Sequence, residues 1–200
     1  MATNETFAVV GVSCSPRKDG NTDIMVQQVL RAAGKTLARV EFLRIAEMEI
    51  TPCDGCWTCA ETGRCHIEDD MQTLYPKLRG ANGIVVGSPV HMGYGVSGQA
   101  QVFFDRTLSL WHQKLLRDKV GACIAVSNRR GGISVIRTIE SLFLTHRMIV
   151  AGYANGYGLR PGDIRGDERA MGEASALGER LCDLIGLLGV PPQSTTFPGA

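Results

Sequence analysis

Five short apolar segments recur along the chain, and predicted helices or polar loops separate them. Most are continuously apolar, as expected for strands buried on both faces of a sheet, whereas residues 40–45 alternate in part. Buried strands separated by helices predict an α/β fold, in which a parallel sheet carries helices on both faces. No linker or repeat interrupts the pattern, so one domain is predicted over residues 1–200. The predicted strands cover residues 7–12, 40–45, 83–87, 120–126 and 148–152.

Helical patterns fill most of the intervals between these strands. One helix is predicted to open at Asn21 and Thr22, and others cover about 98–110 and 133–146. A glycine-rich loop is expected over 153–166, and Asp105 and Arg106 are expected to serve as a structural ion pair. In such sheets ligands bind outside the carboxyl ends of the strands, where the strand order reverses. The loops that leave the first, third and fourth strands are therefore the candidate ligand-binding loops.

Charge and hydropathy exclude two classes of partner. The formal net charge is +1, and the basic runs Arg17-Lys18 and Arg129-Arg130 stop at pairs, so neither nucleic acid nor a membrane surface is expected to bind. No apolar run approaches the roughly 20 residues that span a bilayer, and the first residues do not read as a signal peptide. A cytoplasmic location is expected, where the seven cysteines would be metal ligands or core residues rather than disulfides.

The loop after the first strand, residues 13–22, is a hydroxyl-rich turn that ends at a helix start. It matches neither a Walker loop nor the G-x-G-x-x-G motif, which argues against ATP and a conventionally bound dinucleotide. Free amide groups and the positive end of a helix dipole suit a phosphate monoester. An ordinary capping turn is the alternative, since Ser, Asn and Thr are favoured at helix N-caps. The candidate phosphate ligands are Ser13, Ser15, Arg17, Asn21 and Thr22.

The loops after the third and fourth strands suit a flat, partly polar ring. Their glycines let backbone amides approach a ligand, and an isoalloxazine ring needs main-chain donors at its polar edge and apolar walls at its faces. Arg129 or Arg130 could hold phosphate or steady a reduced flavin, and two solvated surface arginines are the alternative. The candidate residues are Pro89, Val90, His91, Met92 and Gly93 in the first of these loops, and Ser127, Arg129, Gly131 and Gly132 in the second.

Four cysteines give the strongest chemical signal in the chain. Cys53, Cys56, Cys59 and Cys65 form the pattern C-x2-C-x2-C-x5-C within 13 residues. Such a compact run is typical of segments that hold a cubane iron–sulfur cluster through four thiolates. A structural zinc site is one alternative, although zinc usually joins two C-x2-C pairs across a longer gap. Unoccupied thiols are the other.

Several further motifs support a family resemblance over nearly the whole chain. They are Ser15-Pro16-Arg17 with Gly20-Asn21-Thr22, the run from Cys53 to Cys65 followed by Asp69-Asp70-Met71, Gly87-Ser88-Pro89-Val90, Val102-Phe103-Phe104-Asp105-Arg106, and Gly162-Asp163-Ile164. Together they resemble the iron–sulfur flavoprotein group of the NADPH-dependent FMN reductase family, within the flavodoxin-like superfamily.

The resemblance implies a flavodoxin-like three-layer sandwich whose five-stranded parallel sheet has the order 2-1-3-4-5. It implies one FMN-binding domain over 1–200, with a cysteine-rich loop insertion at 46–70. FMN would place its phosphate on the first loop and its ring against the third-strand loop. A 4Fe-4S cluster near the flavin and a homodimer or homotetramer are also implied.

The predicted function is an FMN-dependent oxidoreductase or electron-transfer flavoprotein. It would pass electrons from ferredoxin or NAD(P)H to an acceptor, through FMN and a 4Fe-4S cluster, without a catalytic acid–base side chain. One alternative is an NAD(P)H-dependent FMN or quinone reductase without a cluster, whose cysteines are free or bind zinc. The other is a non-enzymatic flavodoxin-like binding module.

Overall fold

A single parallel sheet of five strands forms the centre of the computed structural model, which describes residues 7–36 and 38–189. Its strand order is β2-β1-β3-β4-β5, and every neighbouring pair is parallel, which confirms the predicted fold class. The predicted domain bounds, 1–200, extend outside the described residues. The strands are β1 (Ala8–Ser13), β2 (Arg39–Arg44), β3 (Gly83–Pro89), β4 (Val120–Ser127) and β5 (Ile149–Tyr157).

Helices cover both faces of the sheet and form the outer layers of the sandwich. They are α1 (Asn21–Gly34), α2 (Thr58–Thr62), α3 (Met71–Gly80), α4 (Gly98–Arg106), α5 (Leu108–His112), α6 (Gly132–Thr145) and α7 (Glu168–Leu188). Leu30 of α1 and Leu181 of α7 belong to the core on one face, and Leu74 of α3 and Ile139 of α6 to the core on the other. In the described part of the chain, none of these helices has the length and apolar character needed to cross a bilayer.

Two glycines bring α1 close to the middle of the sheet. A Cβ atom at Gly11 of β1 would lie 2.7 Å from Leu30 Cδ1, and one at Gly87 of β3 would lie 2.4 Å from Val26 Cγ2. Those distances are shorter than any normal van der Waals contact, so larger residues would push the helix outward. The close packing places the first turn of α1 at the edge where β1 and β3 end, which is where the strand order reverses.

Two predicted elements differ from the structure by more than small shifts at their ends. The helix predicted over 98–110 is divided into α4 and α5 at Thr107, whose hydroxyl donates to the Phe104 carbonyl (2.7 Å) and competes with the helical backbone. The strand predicted to end at 152 continues to Tyr157, because β5 pairs with β4 as far as Ser127. The apolar run ends near a bulge at Gly152 (φ +139°), so the hydropathy pattern stops before the pairing does.

Candidate functional site

A cavity of about 470 Å³ lies at the carboxyl ends of β1, β3, β4 and β5. It lies at the strand-order reversal, the position where open parallel sheets bind ligands. Pro16, Val126, Asn128, Gly158 and Leu159 also line it. Ten of the fourteen residues predicted to bind the cofactor line this cavity: Ser15, Arg17, Asn21, Thr22, Pro89, Val90, His91, Met92, Gly93 and Ser127.

The first turn of α1 presents unpaired donors at this cavity. The helix starts after Gly20, and no side chain caps it. Within residues 7–36 and 38–189, the backbone N–H groups of Asn21, Thr22 and Asp23 have no acceptor, and the Thr22 hydroxyl has no partner. Unpaired N–H groups and the positive end of the helix dipole together form an anion site. The turn is therefore not the side-chain-capped helix start that the alternative interpretation of residues 13–22 required.

Side chains of the first loop fix its shape around that helix start. The Ser15 hydroxyl accepts from the Arg17 N–H (3.1 Å), and the Arg17 guanidinium donates to the Leu159 carbonyl (2.9 Å). Ser13 does not line the cavity. Its hydroxyl donates to the buried Asp23 carboxylate, which also accepts from Arg44 Nε (2.8 Å). Ser13 thus supports the loop from beneath.

Asn21 fastens the loop that follows β5 to the start of α1. Its side-chain amide donates to the Arg160 carbonyl (2.9 Å) and accepts from the N–H groups of Gly162 (2.9 Å) and Ile164 (3.3 Å). A Cβ atom at Gly158 would lie 2.6 Å from Asn21 Nδ2, so only glycine fits there without displacing the amide. The Asn21 side chain therefore shapes the cavity rather than offering a free donor to a ligand.

The loop after β3 contributes backbone donors and an apolar wall. The Val90 N–H donates to the Val126 carbonyl (2.8 Å), which holds the loop against β4. Met92 (φ +50°) and Gly93 (φ +77°) form a left-handed turn, and their N–H groups have no acceptor in the described part of the chain. The Ser97 hydroxyl donates to the Cys14 carbonyl (2.6 Å) and so joins this loop to the one after β1.

The loop after β4 supplies Ser127 to the cavity lining, and two of its glycines pack closely behind that lining. Ser127 Oγ is buried and has no hydrogen-bond partner in the described residues. Gly131 and Gly132 lie behind the cavity lining: a Cβ atom at Gly131 would lie 2.4 Å from the Gly93 carbonyl oxygen, and one at Gly132 2.2 Å from Asn155 Oδ1. Arg129 is exposed and does not line the cavity.

A buried arginine fastens both ends of the cysteine segment, residues 49–69. The Arg106 guanidinium donates to the Thr51 carbonyl (2.6 Å) at one end, and to both oxygens of Asp69 (2.5 and 3.1 Å) at the other. Asp69 also accepts from the Thr51 N–H (2.8 Å), which closes the loop. Arg106 therefore pairs with Asp69 and not with Asp105, which instead accepts from Gln101 (2.9 Å).

This ion pair is charged at neutral pH. Burial raises the pKa of Asp69, but hydrogen bonds from Arg106, Thr51 and Met71 outweigh that effect and leave the pKa below its ordinary value. Burial lowers the pKa of Arg106, and the opposing hydrogen bond and charge of Asp69, with the nearby Tyr75 and Cys65, raise it above the ordinary value. Cys65 is thus within electrostatic reach of the guanidinium.

The other three thiols lie close enough to Cys59 to raise its pKa, but the sulfur atoms are spread wider than the ligands of one zinc ion. Burial raises the pKa of Cys59, and the charges of Cys65, Cys53 and Cys56 raise it further. Among the residues that the structure describes, no three of these sulfur atoms lie within 4.8 Å of one another. Tetrahedral zinc at about 2.3 Å from each sulfur requires sulfur pairs about 3.8 Å apart. A cubane cluster holds its four thiolates on separate iron atoms, so it suits wider spacing.

A model of the NADPH-dependent FMN reductase family matches residues 7–156, which include the first, third and fourth loops and the cysteine segment. The chain belongs to this family. An iron–sulfur flavoprotein from Methanocaldococcus jannaschii is 38% identical over 190 residues, which cover 90% of this chain and 98% of that protein. An iron–sulfur flavoprotein from Methanosarcina thermophila is 32% identical over 184 residues, covering 90% of this chain and 96% of that protein. These relatives place this FMN reductase family member in the iron–sulfur flavoprotein group.

Among solved structures, a flavodoxin, a WrbA-like protein from Agrobacterium tumefaciens, is similar with a TM-score of 0.65 and 20% identity. The match covers 91% of this chain and 99% of that one, and it supports the flavodoxin-like fold. As an FMN reductase family member, the chain is a flavin-dependent oxidoreductase. The hypothesis of a non-enzymatic binding module is therefore rejected.

The cavity of this FMN reductase relative has the chemistry that FMN requires. Unpaired N–H groups at the start of α1 suit the phosphate, and the orphaned Ser127 hydroxyl can satisfy a ribityl or ring oxygen. Pro89 and Val90 offer an apolar wall beside the free N–H groups of the Met92–Gly93 turn. The residues present thus fit the cofactor.

Sequence reasoning missed the fourth loop of the site. Gly158 and Leu159, which follow β5, line the cavity, although only the loops after the first, third and fourth strands were expected to matter. A signal was present in the glycine-rich stretch 153–166, since Gly158 and Gly162 (φ +92°) permit backbone that other residues would disturb. Extension of β5 to Tyr157 carries this loop to the rim of the sheet.

Proposed function

We propose that the chain transfers electrons through two centres, FMN in the cavity and a 4Fe-4S cluster on the cysteine segment. The observation that carries this proposal is the set of buried bonds from Arg106 to Thr51 and Asp69, which closes the four-cysteine segment into a fixed loop within the same domain as the flavin cavity. The cluster ligands would be Cys53, Cys56, Cys59 and Cys65.

The two proposed centres have complementary electron chemistry. FMN accepts electrons in pairs and releases them singly, whereas the cluster carries one at a time. The chain would therefore connect an NAD(P)H or ferredoxin donor to a one- or two-electron acceptor. A nicotinamide need only stack on the flavin ring, and the exposed side chains of His91 and Met92 mark an open side of the cavity.

The proposed FMN contacts follow the geometry of the cavity. The N–H groups at the start of α1, with Ser15, Arg17 and Thr22, would bind the phosphate. The Pro89–Gly93 loop and Ser127 would contact the ring and the ribityl chain. Ser13, Asn21, Gly131 and Gly132 would act by holding these loops in place, and no contact supports a role for Arg129.

The proposal also includes the wider organisation of the protein. One domain over residues 1–200 would carry both centres, and a homodimer or homotetramer would cover apolar surface at the rim of the cavity. Met92 and Tyr94 support that assembly, since 86% and 71% of their surfaces are exposed beside the site. The seven cysteines, all free thiols, suit the reducing cytoplasm.

One observation favours a second candidate, a reductase whose cysteine segment binds zinc in place of a cluster. The ligand atoms of Asp54, Cys56 and His66 lie within 4.8 Å of one another, as a mixed oxygen, sulfur and nitrogen zinc site requires. The same contact has a simpler role, because His66 Nε2 already pairs with Asp54 Oδ2 at 2.8 Å. Zinc binding at these three residues nevertheless needs a direct test.

An anaerobic reductive titration distinguishes the two candidates. With both centres present, full reduction should consume about three electrons per chain, two for FMN and one for the cluster. The spectrum should show the flavin bands over a broad shoulder at about 400 nm that bleaches during reduction. Consumption of only two electrons, with no shoulder, would establish the cluster-free reductase. Protein stripped of iron by a chelator provides the two-electron control.

A further inference from the structure

We infer that Arg106 and Asp69 form a charged positioning pair that sets the reduction potential of the cluster proposed on the cysteine segment. The inference rests on the proposed function, since it concerns that cluster. Neither residue belongs to the cysteine motif, and neither touches the flavin cavity. Asp69 ends the segment and Arg106 ends α4, and the pair acts through the backbone that it holds and the charge that it places there.

The contacts show why this pair controls the segment. Arg106 is almost fully buried, with 1% of its surface exposed, and its guanidinium binds the Thr51 carbonyl before the first cysteine. It also binds Asp69 and approaches the Ile67 carbonyl (3.4 Å) after the last cysteine. One planar group thus fixes the separation between the two ends of the loop. Gln72 adds to this by donating to the carbonyls of Cys65 (3.0 Å) and Ile67 (2.7 Å).

Because the pair is buried, its two charges act on neighbouring groups over a longer distance than exposed charges would. Arg106 and Asp69 have side chains 0% and 8% exposed, so solvent screens them poorly. The guanidinium approaches the carbonyl of Ile67, two residues after Cys65, which is one of the four proposed cluster ligands. A cluster held by four thiolates is an anion, and reduction adds one more negative charge. A fixed positive charge beside it therefore favours the reduced form, and a fixed negative charge opposes that form.

These signs predict opposite effects for two single substitutions. Arg106→Met leaves the Asp69 carboxylate unopposed, so the midpoint potential of the cluster should fall. Asp69→Asn keeps the shape of the side chain and leaves the guanidinium unopposed, so the potential should rise. Arg106→Lys retains the charge while losing the forked geometry, so its potential should stay near the wild-type value.

A merely structural clasp predicts a different pattern. Both Arg106→Met and Asp69→Asn would loosen the same loop ends, so they would lower iron content together and shift the potential, if at all, in one direction. Lys119→Met is a suitable control, because Lys119 is another buried cation but binds the carbonyls of Arg79 and Ala81. It should leave the cluster potential unchanged.

The test is an anaerobic redox titration of the holoprotein and these variants, followed by the electron paramagnetic resonance signal of the reduced cluster. Iron and sulfide are counted in the same samples. Shifts of opposite sign for Arg106→Met and Asp69→Asn support the inference. Shifts of the same sign, or none, in protein that retains its cluster overturn the inference alone. Absence of any cluster from the wild type overturns the proposed cluster, and the inference with it. If Arg106→Met does not fold, the near-isosteric Asp69→Asn variant decides: its potential must rise.

Discussion

Replacing Cys59 with alanine is expected to remove nearly all iron and sulfide from anaerobically purified protein and to leave FMN bound. Cys59 is the most buried of the four thiols, at 7% exposure, and lies on α2 in the middle of the cysteine segment. A cubane that loses one of four thiolates exposes an iron atom to solvent and becomes unstable. The flavin should remain because no residue of 46–70 lines its cavity. Iron, sulfide and flavin counts on one preparation measure all three quantities.

Cys182→Ala is the matched control for this substitution. Cys182 is also a buried helical cysteine, at 4% exposure, but it lies on α7. It packs in the core on the face of the sheet that α1 and α7 cover. It should keep wild-type iron and sulfide. Wild-type iron and sulfide in the Cys59→Ala protein would instead show that this thiol is not a ligand.

Replacing Thr22 with glutamate should weaken FMN binding by about 100-fold, or about 2.7 kcal/mol. Thr22 is 2% exposed and stands in the uncapped first turn of α1. The new carboxylate would take the N–H groups meant for the phosphate and repel its charge, and each charge-assisted hydrogen bond lost costs about 1.5–3 kcal/mol. A carboxylate in the first turn complements the helix dipole, which offsets part of the cost of placing a charge at this buried position.

Riboflavin, which lacks the phosphate, separates this effect from general damage to the cavity. Its affinity should change only a few-fold in Thr22→Glu, so the preference of the wild type for FMN over riboflavin should disappear. Thr138→Glu adds the same charge on α6, where the threonine hydroxyl bonds only within its own helix (2.9 Å), and should bind FMN normally. An equal loss of FMN and riboflavin affinity would show that the phosphate lies elsewhere. Fluorescence titration of the apoprotein gives both constants.

The fold was predictable because buried strands leave a local signal. The apolar runs located all five strands, and the partial alternation of residues 40–45 matched the edge position of β2. The order of the strands in the sheet was not predictable from these apolar runs. Hydropathy carries no information about which strand lies beside which, so the order 2-1-3-4-5 depended on the family resemblance. The extent of β5 was missed for a related reason, since its last residues are held by pairing with β4 and not by hydrophobicity.

In the site, backbone features were easier to predict than side-chain partners. The helix start after β1 was found because a strand, a hydroxyl-rich turn and a helix are all local patterns. Asn21 was expected to face the ligand, but its partners are the Arg160 and Gly162 backbone groups, about 140 residues away in sequence. Arg106 was expected to form an ion pair, yet its partner, Asp69, is 37 residues away. Single-sequence patterns do not encode such pairings.

The two proposed centres depend on separate parts of the structure, which makes them independently removable. The flavin cavity uses loops at the carboxyl edge of the sheet, whereas the cysteine segment is held by α4 through Arg106. Loss of one centre should therefore leave the other chemically intact. Electron transfer between them would be lost, so each single-centre variant should still exchange electrons with a small reagent but not complete the full transfer.

The most direct test of the two-centre proposal is to purify the protein anaerobically and count FMN, iron, acid-labile sulfide and zinc per chain in one sample. About one FMN, four iron atoms and four sulfides, with zinc near zero, is the composition expected of a flavin in the cavity and a cubane on the four cysteines. FMN accompanied by zinc, or by neither metal nor sulfide, would contradict the iron–sulfur centre and leave a simple flavin reductase.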